Sequence, residues 1–259
     1  MNRRNMLAGL AASALVSADT PPASPKNTYL ELKTWRFHNS PENQSARTAD
    51  YLEHGLAPAL SRAGARLDGA FSNVIGPDGP YYVTLTQFSS LGTMQDVLAK
   101  LTADEQHQQA LQKLSSGSGL PFVRVDSSLL RSFDGMPEPA VSAPSGKSAR
   151  IFELRTYESQ TFVTLARKVG MFNSGEMGIF QRLEFRPVFF GETIIGSSQP
   201  NLTYMLSYDS LADRDRLWRA FGSDPEWKKL VSQPELKDSE IVANISNVIL
   251  APLRFSAIQ

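Results

Sequence analysis

The segment Tyr29-Leu30-Glu31-Leu32-Lys33-Thr34-Trp35 returns, position by position, as Ile151-Phe152-Glu153-Leu154-Arg155-Thr156-Tyr157. Further on, the run from Tyr82 to Leu91 (YVTLTQFSSL) returns between Leu202 and Leu211 (LTYMLSYDSL). The same spacing carries Leu91, Val97, Leu98 and Leu101 onto Leu211, Leu217, Trp218 and Phe221, apolar residues at helical spacing in both copies. Self-similarity of this kind, repeated in order along the chain, marks an internal duplication, and it restricts the fold to architectures built from two copies of one supersecondary unit. A proline-, serine- and glycine-rich stretch containing Pro137, Pro139, Pro144 and Gly146 separates the copies. The predicted organisation is a first unit over 29–135, a linker over 136–148 and a second unit over 149–259.

Each copy reads as strand, helix, strand, strand, helix, strand. In the first these fall near 29–37, 45–64, 67–76, 81–88, 90–114 and 123–133; in the second near 150–158, 161–182, 184–195, 201–208, 210–233 and 241–254. The long helix of the second copy is expected to break around Asn173-Ser174-Gly175. Ser210 with Asp213 forms a helix-start signal, as does Asp224-Pro225, and Thr102 with Glu105 is read as the counterpart in the first copy. The βαββαβ order is the ferredoxin-like split unit, so the predicted class is α+β, two tandem ferredoxin-like domains. Each such sheet carries helices on one face only. Two units cover their open faces by packing sheet against sheet, within one chain or across a dimer.

Alternation along the first strands places Phe152, Leu154 and Thr156 on one face, read as the helix side, and Glu153, Arg155 and Tyr157 on the other, read as the side between the sheets. Leu30, Leu32 and Thr34 likewise oppose Glu31, Lys33 and Trp35. Charges between packed sheets must be paired or wet, because an unpaired buried ion costs several kcal/mol. Two readings are therefore open. The row is a set of structural pairs, Glu153 with Arg155 and Glu31 with Lys33, or it lines a polar cavity with an aromatic wall at Tyr157 and Trp35.

Glu153-Leu154-Arg155-Thr156-Tyr157, Met205-Leu206-Ser207-Tyr208, and then Arg214, Trp218, Phe221 and Asp224-Pro225-Glu226-Trp227 resemble the NIPSNAP family of the dimeric α/β-barrel superfamily. The resemblance covers most of 149–259. The first copy departs from it, with Leu98 opposite Trp218, Met94 opposite Arg214 and His107 opposite Trp227. Any family site is therefore expected in the second copy. The resemblance implies a dimeric-α/β-barrel-type arrangement of the two units; it implies no activity. Related barrels include cofactor-poor oxygenases and haem-handling enzymes. In an enzyme of that kind Arg155 would hold an anionic group, Tyr157 would donate a proton or hydrogen bond, and Trp218 would line an apolar wall.

Trp218 and Trp227, nine residues apart, could wall a pocket, although such aromatics usually belong to a core. Arg214 is a candidate anion contact or the partner of Asp209 or Asp213. His54, in Asp50-Tyr51-Leu52-Glu53-His54, is a further candidate on the first helix. The candidate ligand-binding set is thus Glu153, Arg155, Tyr157, Arg214, Trp218, Trp227, Trp35 and His54.

The 259 residues contain 26 basic and 26 acidic side chains and no cysteine. That balance provides no basic field for nucleic acid, and the missing thiols exclude disulfides, thiolate catalysis and cysteine-ligated metals. Phosphate-loop, dinucleotide, HExxH and Gly-x-Ser-x-Gly motifs are all absent, and no cofactor or metal is expected. Residues 1–18 read as a signal peptide: Arg3-Arg4 before an apolar run from Met6 to Val16 resembles a twin-arginine export pattern, with cleavage expected after Ala18. A proline-rich tether follows over 19–28. The expected setting is periplasmic or extracellular, with no membrane span after cleavage, and the expected partners are a small apolar or aromatic ligand and further copies of the chain.

Overall fold

A computed structural model of the protein describes residues 27–39, 42–141 and 150–259. The predicted signal and nearly all of the tether, and residues 142–148 of the predicted linker, lie outside the described residues. Strands β1 (Tyr29–Arg36), β2 (Arg66–Ile75), β3 (Tyr81–Phe88) and β4 (Arg124–Ser132) come from the first copy. Strands β5 (Ile151–Glu158), β6 (Arg186–Ile195), β7 (Asn201–Tyr208) and β8 (Asn244–Pro252) come from the second. They form one closed antiparallel barrel in the order β1-β3-β2-β8-β5-β7-β6-β4, so the two sheets join edge to edge through β2–β8 and β4–β6. The barrel closes within a single chain, and closure removes the open edges that each four-stranded sheet would otherwise expose.

The duplication extends to detail. Register shifts between Leu67 and Gly69 and between Pro187 and Phe189 fall at equivalent positions of β2 and β6. The first helix of each copy is interrupted by a π turn, at Leu52–Leu56 between α1 (Gln44–Tyr51) and α2 (Ala57–Ala63), and at Phe172–Glu176 between α5 (Phe162–Met171) and α6 (Met177–Arg182). The second turn is the break expected around Gly175. The second helical region of each copy is α3 (Leu91–Ala103) with α4 (Glu105–Ser115), and α7 (Leu211–Ser223) with α8 (Pro225–Val231); a short α9 (Asp238–Ile241) precedes β8. Ser210 caps α7 by accepting from the Asp213 backbone, and Asp224 caps α8 by accepting from the backbones of Glu226 and Trp227. In the first copy the cap of α4 is Asp104, which accepts from the His107 backbone; Thr102 instead donates to the Leu98 carbonyl within its own helix. Val97, Leu101, Leu217 and Phe221 are buried as the helical spacing predicts, whereas Leu91, Leu98 and Leu211 are exposed.

The faces of the first strands are the reverse of the sequence expectation. Leu30, Leu32, Phe152 and Leu154 join Phe71, Val83, Leu85, Leu130, Met205 and Leu250 in the core inside the barrel. Glu153, Arg155 and Tyr157 lie on the outer face, beneath the helices of the second copy, and Trp35 packs under α1 and α4 with Tyr51, Leu52 and Leu114. Alternation fixes which residues share a face. Both faces of this sheet are covered, so apolarity does not mark the inner one, and the charges settle where the helices supply donors.

The two barrel ends differ. At the end where β1 and β5 begin, the C-terminal residues 253–259 cross the opening. The Ile258 amide donates to the Asp68 carbonyl, Ser256 accepts from the Ala70 amide, and the Ile258 side chain enters the barrel core at 1% exposure. The opposite end, where β1 and β5 finish, is open. No helix among the described residues is long and apolar enough to cross a membrane.

Candidate functional site

Five of the candidate residues converge under α7. Glu153 is fully buried and its carboxylate is saturated. Oε1 accepts from Arg155 Nη1 at 2.7 Å, Arg214 Nη2 at 2.6 Å and Asn247 Nδ2 at 2.7 Å; Oε2 accepts from Tyr208 OH at 3.0 Å and Trp218 Nε1 at 3.1 Å. Arg155 is committed on every side. Its Nε donates to Tyr204 OH at 2.9 Å, its Nη2 to Tyr157 OH at 3.1 Å, and its guanidinium lies 4.5 Å from the centre of the Trp218 ring. Tyr157 OH also accepts from Tyr204 OH at 3.0 Å. Arg214, whose likelier partners in the sequence were Asp209 and Asp213, turns inward to Glu153; those two aspartates pair with Arg186.

Burial alone would raise the Glu153 pKa. The hydrogen bond from Arg214, the charge of Arg155 and the Asn247 donor outweigh burial and hold it at about 2, against an ordinary 4.5. Burial and the neighbouring carboxylate push the Tyr208 hydroxyl well above its usual range, so it remains a protonated donor. Because the folded-state pKa of Glu153 is depressed, its stabilisation is complete above about pH 4.5 and is lost as pH falls toward 2, an effect of about 3 kcal/mol. Asp104 and Asp224 are lowered to about 2 as well, chiefly by their arginine hydrogen bonds, so acid weakens more than one element. The difference between wild type and Glu153→Gln isolates the cluster. Urea midpoints measured from pH 6 to pH 2 should converge as pH falls; a constant separation would contradict this assignment.

A second buried pair lies beside the first. Lys168 Nζ is 3.1 Å from Glu176 Oε2, and both side chains are at most 2% exposed. The ammonium sits 5.1 Å from the Phe172 ring centre and 5.5 Å from those of Tyr157 and Trp227. This is where Trp227 belongs; Phe221 stands between it and Trp218. On a regular α-helix of 3.6 residues per turn, the eight residues from Lys168 to Glu176 overshoot two turns by about 80°. The π turn at Phe172–Glu176 supplies the extra residue and brings the two onto one side.

The remaining candidates lie elsewhere. Trp35 is buried in the first copy and donates to Thr84 Oγ1 at 3.1 Å. His54 is exposed and 3.2 Å from Asp50. In the first copy Glu31 pairs with Lys33 at 3.0 Å and accepts from Ser127, but Met94 and Leu98 occupy the places of Arg214 and Trp218, so no equivalent network forms. Sequence reasoning missed Tyr204, Tyr208, Asn247, Lys168 and Glu176. The two tyrosines were legible in principle, since they alternate along β7 on the face that pairs with Glu153 and Arg155. Among the described residues no group of three or more His, Asp or Glu is arranged to hold a metal ion.

One of the open volumes among the described residues is at the barrel mouth. A cavity of about 590 Å³ there is floored by Leu32, Val83 and Leu154 and walled by the hydroxyls of Thr34, Ser128, Thr156, Thr203 and Ser246, with Arg36, Asp126 and Glu158 among its lining.

With this geometry in view, the comparisons decide what part of the chain is familiar. Residues 152–257 match the NIPSNAP family model. The matched stretch contains the whole Glu153 cluster, strands β6 to β8 and β5 from Phe152 onward. Over nearly the whole chain the fold is similar to that of a "putative monooxygenase" from Lactobacillus acidophilus NCFM, with a TM-score of 0.55, 13% identity, and coverage of 87% of this chain and 94% of that one. An anthrone oxidase-like protein is similar with a TM-score of 0.52 at 12% identity, covering 89% and 93%. A NIPSNAP-like domain protein from Burkholderia xenovorans is 25% identical over 42% of this chain and 89% of its own, with a TM-score of 0.37. No curated protein gives a significant sequence match. At these identities the two full-length neighbours establish the fold, a dimeric-α/β-barrel type completed within one chain.

Proposed function

We propose that this protein is an exported small-ligand-binding module. In this reading the NIPSNAP domain's charged cluster is scaffold, and the ligand enters the barrel mouth. The observation that carries it is the contrast between a closed layer and an open one. Glu153 already accepts from five protein donors and is fully buried, and Trp218 covers the plane of Arg155. A substrate held by Arg155 and Tyr157 would have to displace this entire set. The mouth offers about 590 Å³, within the range of small-molecule sites, which is roughly 300–1,000 Å³. Oxygenase-like chemistry, suggested by the names of the two fold neighbours, would need free space beside Arg155 and Tyr157. Export is supported by Arg3-Arg4 and the apolar run that follows.

The test is a thermal-shift screen of small molecules against the secreted, cleaved chain. Compounds that stabilise wild type are expected to lose their effect on Ser128→Phe, which fills the mouth, and to keep it on Tyr157→Phe, which removes one hydroxyl from the closed layer. The opposite pattern would overturn the reading. The mass of the secreted chain is expected to correspond to a start at Asp19; an uncleaved chain retained in the cytoplasm would contradict export.

A further inference from the structure

We infer that the barrel mouth selects a hydroxyl-bearing small molecule that carries no negative charge. The inference rests on the mouth being the binding volume, and it names what that volume would recognise. Equivalent positions of the two copies meet there. Leu32 and Leu154 form the floor and Thr34 and Thr156 stand above them, so the lower part of the cavity is nearly two-fold. Elsewhere in the lining the copies have diverged: Val83 on the floor corresponds to Thr203, and at the rim Arg36 corresponds to Glu158 and Asp126 to Ser246.

That divergence sets the charge. Arg36 is the sole cation among the residues lining the cavity, and its Nε is bound to Asp126 Oδ2 at 2.6 Å. Glu158, which accepts from Asn244 Nδ2 at 2.9 Å, leaves the lining with a net charge of −1. An anion entering the mouth would give up water for a negative field and a cation that is already paired. Serine and threonine hydroxyls donate and accept, so a wall of them matches the dual character of ligand hydroxyls. Thr156 and Thr203 hydroxyls lie 2.9 Å apart, one pair reaching across β5 and β7 at the cavity wall. The apolar floor suits the carbon face of a small ring. This class differs from the apolar or aromatic ligand that the sequence suggested for the layer now seen to be closed.

Glucose, glucosamine and glucuronate share a pyranose ring and differ in charge, which makes them the direct probes. Titrations of the secreted full chain at pH 6, followed by threonine-methyl and tryptophan-indole NMR, should show glucose and protonated glucosamine moving the mouth threonine methyls. Both should bind at least about tenfold more tightly than glucuronate. Glu158→Gln should weaken glucosamine by about tenfold and glucose by less than about twofold, while Thr156→Val with Thr203→Val should weaken both. Glucuronate binding as tightly as glucose, with the same methyls moving, would overturn the charge selection and leave the mouth as the site. Absence of binding by all three probes would overturn the ligand class. Movement of the Trp218 indole with the mouth methyls still would overturn the underlying site reading instead.

Discussion

Glu153→Ala is expected to lower the melting temperature by roughly 6 to 20 °C. Removing one partner of a buried ion pair costs about 3–5 kcal/mol, and each kcal/mol moves the midpoint of a protein of this size by about 2–4 °C. The physical reason lies in what remains. Arg155, 12% exposed, is left with its Nη1 donor aimed at an empty site, Arg214 loses its inward contact, and the Tyr208 and Trp218 donors are orphaned together. Thermal unfolding by circular dichroism measures the effect. A double substitution, Glu153→Leu with Arg214→Met, should cost less than the sum of its parts by about 1–3 kcal/mol, because the two side chains share one network. Strict additivity, or a Glu153→Ala protein as stable as wild type, would mean that the cluster does not hold α7 to the sheet.

Ile258→Ala is the second large effect, at about 2–5 kcal/mol, the usual cost of truncating a fully buried isoleucine. Ile258 is 1% exposed in the barrel core although it is the penultimate residue. Removing residues 255–259 should cost more, since it also takes away the Ser256 and Ile258 bonds to Ala70 and Asp68 and opens the lower end of the barrel to water. Chemical denaturation midpoints check both variants. A loss below about 1 kcal/mol for Ile258→Ala would show that the tail is not a plug.

The legibility of this protein from its sequence divides along physical lines. The repeat carried the βαββαβ order, because similarity between the copies is independent of packing details; the barrel arrangement came with the family resemblance, and closure within one chain was not legible. Helix starts at Ser210 and Asp224 were readable because capping is local. The orientation of the Glu153 row was not. Its partners Arg214, Trp218 and Asn247 lie 61, 65 and 94 residues away, and no alternation pattern says which of two covered faces is the inner one. The Lys168–Glu176 pair escaped because it depends on a π turn that changes the helical period. The C-terminal plug escaped because Leu253, Phe255 and Ala257 alternate while Ile258 falls on the other phase, and nothing in that pattern says that Ile258 enters a barrel end. The mouth was invisible for a related reason. Its threonines and serines read as ordinary strand residues until eight strands arrange them around one volume.

In the proposed reading the charged cluster around Glu153 is closed scaffold and the barrel mouth is the accessible site. A crystal structure of the secreted chain soaked in ethylene glycol tests it most directly. The account predicts ordered diol among Thr34, Thr156 and Thr203, with Glu153 still held by Arg155, Arg214, Asn247, Tyr208 and Trp218. Diol lodged between Arg155 and Trp218, with the mouth filled by protein side chains, would contradict it.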